Sequence, residues 1–329
     1  MKTLIKVLKI TVPLGVGVYL TWYFFNGMSD EELEQTKGAF SKANYFWVVL
    51  SLVIAFLSHL SRAYRWLFLL EPMGYKPSLK NAYHAVMSGY VINYTVPRSG
   101  EFARAGLLTT YEKVPFERGF GTIVVERVID IIMLTIVVFI SGLLQVNSDE
   151  IEAITANQES GETSYLIWYI LGGGVLLMLI GAIVYFKSEK IRNLINEKLK
   201  GFWEGLKSVW TMKKKWAFIF HTVFIWACYV AMIWVSAQAF PETANMPVGC
   251  IFAAFVAGAV AIAAVPGGMG LYPLWLSQVL LVYSIDFKAY GIFVWVTQTG
   301  LLVVLGLLSL FLIQRQPKLA EMKKNDEPS

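Results

Sequence analysis

The long apolar segment Val248–Tyr283 is interrupted near its middle by Ala264-Val265-Pro266-Gly267-Gly268-Met269-Gly270-Leu271-Tyr272-Pro273. Proline cannot continue the hydrogen-bond ladder of a helix, and glycine adopts backbone dihedrals that other residues avoid. The sequence therefore predicts two helices with a break between them. Broken backbone is tolerated at membrane depth only where protein or a water-filled cavity surrounds it. We expect a re-entrant helical hairpin here.

A second apolar segment, Ala82–Val96, is followed by the similar interruption Pro97-Arg98-Ser99-Gly100. Basic residues lie both before the segment, at Arg62, Arg65, Lys76 and Lys80, and after it, at Arg98, Arg104, Lys113 and Arg118. A segment of about 15 residues is shorter than the roughly 20 that a spanning helix needs, so we expect it to enter and return. The predicted re-entrant breaks are Pro97 and Gly100 in the first hairpin and Pro266, Gly267, Gly268 and Gly270 in the second.

The composition indicates a membrane protein. The chain is 56% hydrophobic and only 16% charged, whereas soluble domains carry about 25% charged residues. Six other stretches have the length and apolarity of a spanning helix: Leu4–Phe25, Tyr45–Leu70, Gly121–Leu144, Tyr165–Phe186, Trp216–Phe240 and Tyr290–Ile313. The fold prediction is an all-α polytopic membrane protein with six spanning helices and two re-entrant broken-helix hairpins.

The positions of Lys and Arg predict the orientation. Of the 28 basic residues, 24 fall in segments that this topology places on the cytoplasmic side and three on the outside, while Arg127 lies within a span. Basic residues accumulate on the cytoplasmic side of membrane proteins, so both termini are predicted to be cytoplasmic. The pI near 9.0 follows from these juxtamembrane residues, which suit anionic lipids, and we expect no nucleic-acid partner.

The sequence predicts one domain, residues 1–317, made of two half-repeats at about 1–145 and 164–317. Each half contains two spans, a broken hairpin and a further span, and the two halves have opposite orientations. Paired breaks at matching positions are typical of inverted-repeat transporters. The segment 189–210 predicts an amphipathic helix on the inner leaflet, because its apolar residues recur at steps of three and four. The tail 318–329 is polar, and we expect it to be disordered.

The densest group of polar residues in the apolar regions contains Arg98, Ser99, Gly100, Glu101, Arg104, Glu126, Arg127 and Asp130. Arg98, Glu101 and Arg104 are three residues apart, so they share one face of a helix. Glu126 and Asp130 are four apart and share a face in the same way. Ionisable groups at membrane depth pair with one another or line a pathway.

Two interpretations of this group remain open. It is either an internal network in which Glu126 and Asp130 neutralise Arg98 and Arg104, or a site where arginine holds an anionic lipid headgroup. The planar fork of arginine suits phosphate, and a helix that opens at Ser99-Gly100 would add backbone N–H donors. The two interpretations are compatible if the acids neutralise the arginines only in part.

His59, Arg62 and Arg65 lie at the inner end of the second predicted span. We expect these side chains to snorkel toward the interface and to help set the orientation. The two cysteines, Cys228 and Cys250, lie in apolar segments without metal-ligand spacing. The sequence contains no nucleotide-binding loop, nucleophile elbow or metal-ligand pair, so we expect no cofactor, no metal and no enzymatic activity.

Three motifs, taken in order, resemble a known family. They are Pro97-Arg98-Ser99-Gly100-Glu101 with Arg104, then Glu126-Arg127-Val128-Ile129-Asp130, then Pro266-Gly267-Gly268-Met269-Gly270. Together they are similar to the hallmark motifs of the lysylphosphatidylglycerol synthase transmembrane-region family, the flippase-like membrane domain of the bacterial multiple peptide resistance factor. The resemblance extends over nearly the whole chain. We expect a stand-alone member of this family, without the soluble synthase domain of the full-length factor.

The resemblance implies a multi-pass protein of the bacterial cytoplasmic membrane that translocates aminoacyl-phosphatidylglycerol or another phosphate-linked lipid. Its partners would be membrane lipids, anionic ones above all, with a homo-oligomer or a separate lipid-modifying enzyme as further candidates. Two alternative functions remain open. One is a membrane transferase acting on a polyprenyl-phosphate carrier, and the other is a non-transporting scaffold for a lipid-modifying enzyme.

Overall fold

The computed structural model describes residues 2–96, 98–146, 189 and 209–316. The predicted span Tyr165–Phe186, most of the predicted amphipathic helix 189–210, the tail 318–329 and the break residue Pro97 lie outside the described residues.

The described part of the chain is helical and contains no β-strand. Its main helices are α1 Lys2–Asn26, α2 Asp30–Lys42, α3 Tyr45–Leu70, α4 Leu79–Thr95, α5 Gly100–Glu112, α6 Phe116–Val146, α7 Lys215–Ala237, α8 Val248–Ala264, α9 Leu271–Val282 and α10 Ala289–Gln314. Short 3₁₀ turns occur at Glu71–Met73 and Pro266–Gly268. The predicted all-α class is therefore confirmed for these residues.

Three of the described helices are long and apolar enough to cross a membrane. They are α3 with its following turn, α7 and α10, whose mean hydropathies are 1.7, 2.0 and 2.2. The helices α1 and α6 cover the predicted spans Leu4–Phe25 and Gly121–Leu144, each as one continuous helix. The chain is a membrane protein, whereas the count of six spans and the cytoplasmic termini stay predictions.

The helices α4 and α5 form the first hairpin. Its open end is tied together by Glu112, whose Oε1 accepts hydrogen bonds from the Ser78 N–H (3.1 Å), the Ser78 hydroxyl (2.6 Å) and the Asn81 amide (2.7 Å). At the tip, the helix is interrupted between Thr95 and Gly100, as the sequence predicts. The chain reverses there, and Arg98 adopts a left-handed backbone with φ of 62°.

The helices α8 and α9 form the second hairpin, with the 3₁₀ turn Pro266–Gly268 at its tip. Gly267, Gly268 and Gly270 all have positive φ, and the helix is interrupted at these residues. The open end is tied together by Gln145 at the last turn of α6. Its amide donates to the Gly249 carbonyl over 3.2 Å and its carbonyl accepts from the Tyr283 hydroxyl.

The two hairpins have their open ends at opposite ends of α6. The first hairpin ends at Glu112, just before α6 begins at Phe116, and the second is held by Gln145 near the end of α6. A helix of 31 residues is about 46 Å long, so the hairpins approach from opposite sides. Their tips meet where the Tyr94 ring lies against Gly267. This arrangement supports the predicted opposite orientation of the halves, while re-entry into a membrane stays a prediction.

Candidate functional site

Asp130 on α6 holds two arginines of α3. Its Oδ2 pairs with the Arg62 guanidinium, and its Oδ1 lies 3.0 Å from Nη2 of Arg65. Arg62 is 7% exposed and Arg65 is fully buried. The prediction that these arginines snorkel toward the interface is therefore wrong. The carboxylate of Asp130 gives them an internal partner, which removes the need to reach water.

The same arginines tie α4 and α7 to this centre. Arg62 donates from Nη1 to the hydroxyls of Tyr90 (3.0 Å) and Tyr229 (3.3 Å). Arg65 donates to the Thr222 hydroxyl over 3.2 Å, and its guanidinium lies 5.5 Å from the centre of the Phe218 ring. Four helices thus meet around the carboxylate of Asp130, whose side chain is 12% exposed.

Glu126, one turn before Asp130 on α6, pairs with Arg104 of α5. Its Oε2 lies 2.6 Å from Nη1 of Arg104, and its Oε1 lies 3.6 Å from Nη2 of Arg65. The internal network is therefore present, with different partners from those expected. Arg104 pairs with Glu126 as predicted, whereas the partners of Asp130 are Arg62 and Arg65 instead of Arg98.

The guanidinium of Arg104 is stacked on an indole and is only partly hydrogen-bonded. Its Cζ lies 3.7 Å from the centre of the Trp66 ring, and Trp66 is fixed by a 2.8 Å hydrogen bond from Nε1 to Thr122. Arg104 is 5% exposed. Its Nε and Nη2 have no hydrogen-bond partner among the described residues.

A small cavity of about 10 Å³ lies beside Arg104. The residues that line it come from α4, α5 and α6, and they are Val86, Gly89, Tyr90, Asn93, Gly100, Glu101, Arg104 and Arg127. The volume suits about one water molecule. The buried guanidinium of Arg104, with two nitrogens that lack a partner among the described residues, thus lines a space that an acceptor atom could enter.

Arg127 and Glu101 form the more exposed edge of the same region. Nη2 of Arg127 lies 3.0 Å from Oε1 of Glu101, and its Nη1 lies 3.8 Å from Asp130. The Arg127 side chain is 45% exposed and the Glu101 side chain 25%. This pair therefore lies between the buried part of the site and the surface.

The residues at the tip of the first hairpin take different positions from those expected. Arg98 is exposed, and in the described residues it forms no ion pair. The Ser99 hydroxyl donates to the Val96 carbonyl over 2.6 Å and does not cap α5. The Gly100 N–H donates to Oδ1 of Asn93 over 2.7 Å. The predicted free donor at Gly100 is thus already used, and Asn93 serves as the cap.

We define the charge cluster as Arg62, Arg65, Glu101, Arg104, Glu126, Arg127 and Asp130. It holds four arginines and three carboxylates, so it carries one positive charge in excess. An uncompensated charge in a buried site is costly. The arrangement can therefore accept one further negative charge, as the second interpretation requires.

Comparison with known proteins places this geometry in context. Residues 10–309 match the family model of the lysylphosphatidylglycerol synthase TM region. The chain is 27% identical over 190 residues to a protein of Methanocaldococcus jannaschii described as the UPF0104 membrane protein MJ1595. That match covers 56% of this chain and 52% of the relative, so the chain spans about half the length of the curated relative it matches. No solved structure matches it significantly.

The family match extends over nine-tenths of the residues and includes both hairpin tips and every member of the charge cluster. The chain therefore belongs to the family of the lysylphosphatidylglycerol synthase TM region.

Proposed function

We propose that this chain translocates an anionic or phosphate-linked membrane lipid across the bacterial cytoplasmic membrane and holds the lipid headgroup at the charge cluster. Its family is related to membrane lipids, and aminoacyl-phosphatidylglycerol is one such lipid. The proposal assumes six spans, two re-entrant hairpins and cytoplasmic termini. The approach of the two hairpins from opposite sides supports this topology.

The observation that carries the proposal is the incomplete bonding of Arg104. A guanidinium has five N–H donors in a planar fork that matches phosphate oxygens. Nη1 of Arg104 is bound by Glu126, while Nε and Nη2 are buried without a partner among the described residues. A headgroup oxygen would supply the missing acceptor, and its negative charge would offset the excess positive charge of the cluster.

The path to Arg104 starts at the exposed arginines. Arg98 at the hairpin tip and the half-exposed Arg127 lie on the side where a headgroup would arrive. The cavity beside Arg104 is too small for a phosphate, which has several times the volume of one water molecule. Binding therefore requires that the Arg127–Glu101 pair separates and that the first hairpin shifts.

The surroundings of the three carboxylates suit a role in charge balance better than a role in proton transfer. Glu101, Glu126 and Asp130 each lie against at least one guanidinium, so each is placed to balance a positive charge. A transferase would need one of them as a general acid or base. The scaffold alternative instead predicts that the charge cluster is dispensable.

The test compares transport with stability in purified protein. Wild type, Arg98→Ala, Arg104→Lys, Glu126→Gln and the Arg104→Gln/Glu126→Gln double variant are reconstituted in vesicles. The flip of fluorescent phosphatidylglycerol is followed by dithionite quenching, and each variant is melted in detergent. Lys76→Ala is the control, because Lys76 is an exposed cation on the same predicted side.

Arg104→Lys keeps the charge opposite Glu126 and removes the fork, so we expect about a tenfold or larger loss of transport with the fold retained. Arg98→Ala should lose transport without losing stability. Wild-type transport in folded Arg98→Ala and Arg104→Lys proteins would contradict the headgroup role. Stability that is lost in Glu126→Gln and restored in the double variant, with transport unchanged, would show that Arg104 serves only to pair with Glu126.

A further inference from the structure

The tips of the two hairpins touch where the side chain of Tyr94 meets Gly267. The Tyr94 ring of α4 lies so close to Gly267 that a β-carbon on Gly267 would overlap its Cε1 and Cδ1 atoms. The backbone of Gly267 has φ of 61°, so glycine is favoured there both by conformation and by the lack of space. We infer that Tyr94 seated on Gly267 is a gate that separates the headgroup site from the second half of the molecule.

Tyr94 is linked to the charge cluster through its neighbours on α4. Tyr90, which accepts a hydrogen bond from Arg62, lies one helical turn before Tyr94 on the same face of α4. The neighbouring Asn93 lines the cavity beside Arg104 and caps α5. A shift of the first hairpin that admits a headgroup must therefore move the Tyr94 ring as well.

The second hairpin supplies a fixed seat for this ring. The carbonyl of Gly267 accepts a 2.7 Å hydrogen bond from Nε1 of Trp295 on α10. Gly270 lies against the backbone of Leu20 and Thr21 on α1, where no side chain would fit. Met269 contacts Gly17 on the same helix. Because α1 and α10 both hold this tip, we take Tyr94 to be the mobile partner in the contact.

The contact is flanked by open surface. Tyr94 and Gly267 are half-buried, Thr95 and Val96 on one side are exposed, and so are Ala263 and Ala264 on the other. The Tyr94 hydroxyl lies within hydrogen-bonding reach of Thr299 on α10. The aromatic ring thus lies between the two breaks, and its departure would expose the half-buried Thr299 further.

The gate proposal rests on the proposed translocation, and the experiment below can contradict either one separately. Thr299→Cys is introduced into a protein whose Cys228 and Cys250 are replaced by alanine. The rate of its reaction with a water-soluble maleimide is measured in vesicles of phosphatidylcholine alone and in vesicles that also contain phosphatidylglycerol. We expect reaction about 2- to 10-fold faster with phosphatidylglycerol, the range for loss of one aromatic contact. Equal rates would overturn the gate.

A second set of variants tests the contact itself. In Gly267→Ala the added methyl occupies the place of the ring, so reaction should be fast in both kinds of vesicle. Gly74→Ala is the matched control, since Gly74 has φ of 85° with nothing within 4 Å of an added β-carbon. Tyr94→Phe keeps the ring and should behave as wild type. If Gly267→Ala does not fold, Tyr94→Ala removes the ring without any clash and carries the same expectation.

Translocation of fluorescent phosphatidylglycerol is measured in the same preparations. Lipid-dependent reaction of Thr299→Cys without translocation would overturn the proposed function and leave the gate as the cover of a binding site. Translocation with lipid-independent reaction would overturn the gate alone. Slow, lipid-dependent reaction of Thr299→Cys in a folded Gly267→Ala protein would also overturn the gate. Tyr94 would then cover Thr299 without its contact with Gly267.

Discussion

The carbonyl oxygen of Gly89 occupies the space that a β-carbon on Gly100 would need. The reverse also holds, since a β-carbon on Gly89 would lie 2.9 Å from the Gly100 carbonyl. The backbones of α4 and α5 are therefore in direct contact, as small residues allow in membrane helices. Because the two helices are this close, Arg104 of α5 packs beside α4 and its guanidinium lies against the Trp66 ring.

Gly100→Ala should separate the first hairpin, because the added methyl meets backbone on α4 and has no flexible side chain to displace. We expect a loss of about 1–3 kcal/mol, the usual cost of overpacking. Gly106→Ala is the control on the same helix, with nothing within 4 Å of the new methyl. It should stabilise α5 by about 0.5–1 kcal/mol. Thermal unfolding in detergent compares the two, and equal effects would refute the close contact.

Asp130→Asn should leave Arg62 and Arg65 buried without their common counter-charge. The expected loss is about 3–5 kcal/mol, typical of breaking a buried ion pair on one side. Glu101→Gln is the comparison, because the Arg127–Glu101 pair is partly exposed and should contribute about 0–1 kcal/mol. Chemical unfolding in mixed micelles measures both. A stable Asp130→Asn protein would show that the arginines find other acceptors.

Glu32 gives a pH-dependent contribution outside the spans. The Lys288 ammonium, 2.6 Å away, and the Ser29 N–H lower the pKa of Glu32 below its ordinary value of 4.5. Because the folded pKa is lowered, the ion pair stabilises above pH 4.5 and is lost as the pH falls through the folded pKa.

Glu32→Gln keeps an acceptor for the capping box with Ser29 and removes only the charge. The variant should lose about 0.2–1 kcal/mol at neutral pH, and the difference from wild type should shrink below pH 4.5. Melting curves recorded across this pH range check the prediction. A difference that stays constant at low pH would mean that the charge on Glu32 does not act through Lys288.

The open end of the first hairpin, which Glu112 ties together, predicts a labelling pattern. Ser78 and Glu112 are hydrogen-bonded across that end, so cysteines at Ser78 and Thr109 should react with impermeant reagents from the same, cytoplasmic side. A cysteine at the exposed Ser41 of α2, which follows the first predicted span, should react from the outside. Opposite sidedness for Ser78 and Thr109 would end the re-entrant proposal and the inverted repeat with it.

The chain breaks could be predicted from sequence because proline and glycine act locally. The residues Gly267, Gly268 and Gly270 form the tip of the second hairpin because their own backbones allow positive φ. The gathering of Arg104, Glu101, Glu126 and Arg127 was also predictable, since ionised groups in an apolar region must find one another.

The roles of Arg62 and Arg65 could not be predicted in this way. Their partner Asp130 is more than sixty residues away in the chain, and position near a helix end favoured the simpler snorkelling interpretation. A signal was nevertheless present. Ser51, Ser58, Ser61, Arg62 and Arg65 recur at helical spacing along α3, and all are buried. A polar face that runs along an apolar span indicates an internal site. Snorkelling side chains would require polar residues only at the end of the span.

The tip-to-tip meeting of the hairpins also bears on how membrane voltage would act on this protein. Moving one elementary charge through the full potential involves about 2.3 kcal/mol per 100 mV. With aqueous access on both sides of the Tyr94–Gly267 contact, the electric field would fall mainly across one aromatic ring. The voltage would then drive a charged headgroup through a single short step, and the rest of its journey would be nearly voltage-independent.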